Sequence, residues 1–133
     1  MDFKRGRMID HLHLRTRDLQ ASTAFYVATL KVLGIEAEVA DDHLSADELW
    51  IDKGYQPSHV HFAFQAPDRE TVARWYEAGL KAGGKDNGEP GERDYHPGYY
   101  AAFLLDPDGN NVEAVHHGPA ERSADAVRIS LPG

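Results

Sequence analysis

The chain contains no cysteine. That absence excludes a disulfide framework, a thiolate metal site, iron–sulfur ligation and a cysteine nucleophile together. No apolar run approaches the ~18 residues needed to span a bilayer, so no membrane partner is expected. Basic residues are also scarce: 14 Lys and Arg stand against 22 Asp and Glu, for a net charge of −8. A nucleic-acid partner needs clustered cations. Here the only basic cluster is Lys4, Arg5 and Arg7, with Arg15 and Arg17 further on. The opening MDFKRGRMID has basic residues but no apolar segment after them, so no signal peptide is expected and a cytoplasmic location is the default. With 133 residues, the chain has the length of one domain and can bury a core without staples.

What is plentiful is histidine. Eight are present: His11, His13, His43, His59, His61, His96, His116 and His117. A repeat sorts them. Sliding the sequence by 50 aligns residues 11–34 with 61–84, and seven of those 24 positions are identical: His11/His61, Asp18/Asp68, Tyr26/Tyr76, Ala28/Ala78, Leu30/Leu80, Lys31/Lys81 and Gly34/Gly84. Leu12/Phe62, Leu14/Phe64 and Phe25/Trp75 match in kind. Internal repetition of this sort signals duplicated supersecondary units.

Each copy carries the same parts. Residues 9–16 and 59–65 alternate apolar and polar, which predicts half-buried strands. Asp18 and Asp68 then stand where a helix N-cap accepts orphan backbone N–H groups. Amphipathic helices follow, with stripes of Leu19, Ser22, Phe25, Tyr26, Thr29 and Leu33 in the first and Val72, Trp75, Tyr76, Gly79 and Leu80 in the second. Gly34 and the pair Gly83 and Gly84 supply the stop. Candidate strands come next: 35–39 and 49–51 in the first copy, with Asp41 and Asp42 turning between them, and 98–105 and 111–116 in the second. Asp106-Pro107-Asp108-Gly109 reads as a hairpin turn. Residues 85–97 read as a loop with short strand pieces, and 118–133 as a disordered end or a segment that docks on a partner. The expected class is α+β, a βαβββ unit written twice, with module one about 8–55, module two about 58–117 and a tail at 118–133.

Strand alternation assigns faces. Leu12 and Leu14 share one side of the first strand, and His11, His13 and Arg15 the other. Val60, Phe62 and Phe64 oppose His59, His61, Ala63 and Gln65. In the last strand Val112 and Ala114 oppose Asn111, Glu113, Val115 and His117. The apolar faces cover the helices, which leaves polar faces to line a concavity. His11 and His61 are equivalent by the repeat, and Glu113 is a carboxylate in mid-strand. Two imidazoles and one carboxylate on rigid strands with open positions suit a divalent first-row metal used for Lewis-acid or O₂ chemistry. His13, ~6–7 Å along the strand from His11, is the nearest understudy, and His117, ~13 Å from Glu113, is too far to share its metal.

The stretches Ile9-Asp10-His11-Leu12, Arg17-Asp18-Leu19 with Phe25-Tyr26, His61-Phe62-Ala63-Phe64, and Asp106-Pro107-Asp108-Gly109-Asn110-Asn111-Val112-Glu113 resemble the glyoxalase/bleomycin-resistance/extradiol dioxygenase family, the vicinal-oxygen-chelate superfamily. The resemblance runs from about residue 8 to 117. It implies paired βαβββ modules in a cupped, barrel-like mixed sheet with helices outside, and commonly a homodimer. By position it implies His11, His61 and Glu113 as ligands of one divalent ion (Fe, Mn, Zn, Co or Ni). A glyoxalase-type lyase would carry a fourth ligand on the last strand of module one, where this chain reads Asp47-Glu48-Leu49-Trp50-Ile51 and Trp50 stands at or near the ligand position. That departure counts against lactoylglutathione lyase activity.

The expected function is thus metal-dependent chemistry, dioxygenase- or lyase-like, on a small oxygenated substrate chelated through two oxygens. His96 and Tyr99 are candidate catalytic groups; His13, Arg15, Trp50 and Tyr100 are candidate substrate contacts. The alternative is a non-catalytic protein that sequesters a flat ligand between the aromatic walls of Trp50, Tyr99 and Tyr100.

Overall fold

In a computed structural model that describes residues 2–132, each half of the chain builds one open four-stranded sheet. Strand β1 (Asp2–Arg5) comes first and lies outside both sheets. The first half then runs β2 (Leu12–Thr16), α1 (Leu19–Val32), β3 (Glu38–Val39), β4 (His43–Ala46) and β5 (Leu49–Lys53). The second repeats the order as β6 (His61–Gln65), α2 (Arg69–Lys81), β7 (Lys85–Glu92), β8 (Tyr100–Leu105) and β9 (Asn111–His116), and β10 (Val127–Ser130) follows. The sheets have equivalent topologies, β2-β5-β4-β3 and β6-β9-β8-β7. In both, the strand that opens the module pairs parallel with the one that closes it, and the remaining pairs are antiparallel. The fold is α+β as expected, but the two sheets remain separate and do not close into a barrel.

Local chemistry sets the helix limits. Asp18 accepts a hydrogen bond from Ala21 N at 3.1 Å and Asp68 one from Thr71 N at 2.7 Å, each satisfying a donor that the helix cannot pair internally. Gly34 and Gly83 take positive φ just past the helix ends. The two helices pack on each other around Phe25, Tyr26, Leu30, Val72, Trp75 and Tyr76, which join Leu14, Leu44, Ile51, Leu104, Val112 and Ala114 in one core. Burial of each such large side chain is worth roughly 1.5–3 kcal/mol. The shared core fixes one module to the other and leaves the second face of each sheet to carry polar groups.

Three segments go beyond the sequence expectation. His43–Ala46, unassigned between the Asp41-Asp42 turn and the strand at 49–51, forms a strand between β3 and β5, with Leu44 and Ala46 facing the core. Residues 85–97, expected as a loop with short strand pieces, hold one longer edge strand over Lys85–Glu92. Its lack of apolar side chains is tolerated because the pairing with β8 is made by backbone, broken by shifts of register around Gly88. Within the tail, Val127–Ser130 pairs antiparallel with Asp2–Arg5, placing Asp2 opposite Ser130. No helix among the described residues is long and apolar enough to cross a membrane.

Candidate metal and substrate site

The buried turn between β8 and β9 aims the second half of the site. Asp106 accepts hydrogen bonds from Asp108 N and Asn110 N on one oxygen, and from Tyr26 OH and Asn110 Nδ2 on the other. Asn110 Oδ1 in turn accepts from Val60 N at 2.8 Å. This lattice sets β9 in register beside β6, with Ala63 opposite Glu113. Glu113, only 3% exposed, points to the sheet face away from the helices. Its Oε1 lies 2.9 Å from His61 Nε2, and its Oε2 accepts a hydrogen bond from Tyr99 OH. Burial, and then the bond to Glu113, push the Tyr99 phenol well above its ordinary value. Phe103, opposite Glu113 on β8, closes the far side, its ring centroid 6.0 Å from that of His61. The His61 imidazole remains half exposed.

The first half of the site is a cavity of about 430 Å³ lined by Arg5, His11, His13, Ser45, Asp47, Glu48, Leu49 and Trp50. His11 is exposed at its mouth, with Nδ1 2.8 Å from Asp10 Oδ1. That bond, first among its causes, lowers the Asp10 pKa. His13 Nε2 lies 2.8 Å from Asp52 Oδ1, and Arg15 Nε stands 3.1 Å from the same oxygen. Partial burial would raise Asp52, but hydrogen bonds from His13 and Trp50 outweigh it and hold the carboxyl low. Trp50 stacks on His43, centroids 3.9 Å apart and planes within 10°. Its indole N–H points to Asp52 Oδ2 at 3.3 Å.

The structure therefore sorts the predicted residues into two groups. His61, Glu113 and Tyr99 are brought together on one sheet. His11, His13, Arg15 and Trp50 share the open face of the other. Among the described residues, no three His, Asp or Glu side chains come close enough in one chain to hold a metal. One of the expected substrate contacts is placed elsewhere. Tyr100 lies on the helix-facing side of β8 with the Arg69 guanidinium 4.7 Å above its ring, because alternation puts it opposite to Tyr99. His96 stands at the edge of the Tyr99 ring, centroids 5.4 Å apart, with Nδ1 2.9 Å from Pro97 O and Nε2 2.9 Å from His117 Nδ1. Asp52 and Phe103 also line the candidate site, and no motif marks either of them. Alternation of β5 places Asp52 beside Trp50 on the polar face, and it offered the one available clue.

Comparison with known proteins agrees with this architecture. A family profile described as the glyoxalase/bleomycin resistance protein/dioxygenase superfamily matches residues 8–114. Among solved structures, a glyoxalase/bleomycin resistance protein from Albidiferax ferrireducens is 30% identical, with a TM-score of 0.72 over 82% of this chain and 98% of that one. A glyoxalase-related enzyme from Fulvimarina pelagi shares 18% identity and a TM-score of 0.70 over 95% and 99% of the two chains. A lactoylglutathione lyase from Agrobacterium tumefaciens shares 21% and 0.59 over 82% and 92%; these latter two are likenesses of fold. No curated protein matches in sequence. With the duplicated βαβββ sheets, the buried turn and the profile covering most of its length, the chain belongs to the glyoxalase/bleomycin resistance protein/dioxygenase superfamily.

Proposed function

We propose that the protein is a metal-dependent enzyme, dioxygenase- or lyase-like, that acts on a small oxygenated substrate. In this reading His61 and Glu113 of one protomer and His11 of a second copy hold one divalent ion in a homodimer. The observation that carries it is the pairing of His61 Nε2 with the buried Glu113 carboxylate at 2.9 Å. A carboxylate this buried needs a cationic or hydrogen-bonding partner, and an imidazole nitrogen facing a carboxylate oxygen is a donor set suited to borderline divalent metals. His11 sits at the mouth of an open cavity on the other sheet, accessible to a second copy. When bound, the ion supplies Lewis acidity toward two neighbouring substrate oxygens.

The chain's own residues supply the rest. The Tyr99 phenol fixes the second oxygen of Glu113. Phe103 excludes water from one side. His13, whose Nε2 lies 2.8 Å from Asp52 Oδ1 and 3.1 Å from Arg15 Nε, is held on the polar face as a substrate contact. Trp50, held flat by His43, offers a wall for a planar ligand. That wall also favours the second reading, a binding protein that sequesters a flat molecule without turning it over.

The test is elemental analysis of protein prepared without chelators. The proposal expects a stoichiometric divalent metal that is lost in His61→Ala and in His11→Ala. Mixing those two variants pairs an intact His61 with an intact His11 from the other copy, so one site per mixed dimer should recover metal. Protein that holds no metal and takes none up would leave only the sequestering reading. Metal retained in His11→Ala would remove that residue from the ligand set.

A further inference from the structure

The side chains of His96 and His117 form a cluster that the proposed site does not use. They come from segments 21 residues apart, yet His96 Nε2 lies 2.9 Å from His117 Nδ1 and the ring planes are within 21°. Backbone geometry holds them there. Gly98 and Gly118 both take positive φ, +87° and +85°, and pass so close that a Cβ on Gly98 would lie 3.1 Å from Gly118 Cα. Only glycine meets both the left-handed conformation and that approach. The loop before β8 is thus pinned to the segment after β9. Both imidazoles are exposed, and each stands edge to face with Tyr99, ring centroids 5.4 Å away.

We propose that His96 and His117 form a second, peripheral binding site for a transition-metal ion that favours cis coordination by two imidazoles, Cu(II) or Ni(II). The tautomers support it. Pro97 O can only accept, so His96 carries its proton on Nδ1 and presents the Nε2 lone pair to its neighbour. The second nitrogen of a ligating histidine is commonly fixed by such a carbonyl. In the neutral pair His117 donates Nδ1–H to that lone pair. Moving this proton to Nε2 of the same exposed ring frees a second lone pair with no change in net charge. The 2.9 Å separation is that of the N–H···N bond; once the proton has moved, a small rotation of either exposed ring turns both lone pairs toward one ion, and the affinity order of divalent metals for imidazole nitrogen puts Cu(II) ahead of Zn(II). No third His, Asp or Glu joins the pair among the described residues, so water completes the coordination.

The experiment is a Cu(II) titration of the whole chain near neutral pH, read by calorimetry and by the nitrogen hyperfine pattern in electron paramagnetic resonance. A variant carrying His61→Ala removes the other proposed site and serves as the background. Expected is a Cu(II) site with two imidazole nitrogens that survives in His61→Ala. Adding either His96→Gln or His117→Gln should weaken it by about tenfold or more and leave at most one nitrogen from the pair. Thermal melts confirm that each variant folds. The inference is overturned if Cu(II) affinity and the hyperfine pattern are the same with and without His117→Gln, or if Zn(II) binds the pair more tightly than Cu(II). Neither outcome bears on the metal site proposed at His61 and Glu113.

Discussion

Removing one oxygen from Tyr26 should cost more stability than its position on a helix suggests. The phenol is 1% exposed and donates to Asp106 Oδ2 at 2.6 Å. Burial and the adjacent carboxylate raise its pKa well above the ordinary tyrosine value, so it is a neutral donor at all working pH. Tyr26→Phe keeps the ring and its edge-on contact with Phe25 but removes a hydrogen bond to a charged acceptor, a loss of about 1.5–3 kcal/mol. Asp106 keeps three other donors, from Asp108 N, Asn110 N and Asn110 Nδ2, so the lower end, ~1.5–2 kcal/mol, is expected. For a chain of this size that corresponds to a fall in Tm of roughly 5–10 °C. Urea unfolding at one fixed protein concentration measures it, because self-association would make stability concentration-dependent. Asp106→Asn and the double variant complete a cycle that isolates the pair. A cost below about 0.5 kcal/mol in Tyr26→Phe, or additive single effects, would refute the claim that this bond locks α1 to the β8–β9 turn.

Other outcomes follow from the same geometry. Gly79→Ala should destabilise despite the better helix propensity of alanine, since the new Cβ would meet Leu104 Cδ1 at 2.2 Å; overpacking costs ~1–3 kcal/mol, and thermal denaturation reads it. Asp68, which caps α2, has its pKa lowered by the hydrogen bonds from Thr71. Its contribution is therefore full above the unfolded carboxyl pKa and lost as pH falls through the lower folded value. The Tm gap between wild type and Asp68→Ala should be constant near neutrality and close below about pH 4. Of six tyrosines, Tyr26 and Tyr99 are raised well above the ordinary value and Tyr76 to about 12, each with burial as the first cause. Alkaline titration of phenolate absorbance should leave Tyr26 and Tyr99 silent through pH 11, with Tyr76 ionising near pH 12 ahead of them.

Much of the fold was legible because the duplication writes it twice. Asp18 and Asp68 cap their helices as their spacing predicts, and the Asp106–Gly109 turn returns the chain into β9 with the expected limits. The rest depends on pairing between backbones, which leaves little trace in side-chain order. Lys85–Glu92 has no apolar alternation, yet it is a strand because β8 offers it an edge. The ribbon of β1 and β10 joins segments that are remote in sequence, with only short stretches of alternation to mark them. Within the site, face-counting put Glu113 and His61 on one side of the sheet, and they meet there. It gave no hint that Tyr99 would be the second partner of that carboxylate, nor that His117 would turn back onto His96. Both depend on a loop closed by two glycines in contact.

The pairing of Asp2 with Ser130 bears on how the polypeptide can be rewired. A few flexible residues joining that neighbourhood would leave the two sheets and their helices untouched, and new termini could be cut in the exposed stretch around Tyr55 and Gln56. Such a circular permutant would be synthesised second module first and should still reach the native arrangement, because neither βαβββ unit depends on its partner for internal strand pairing.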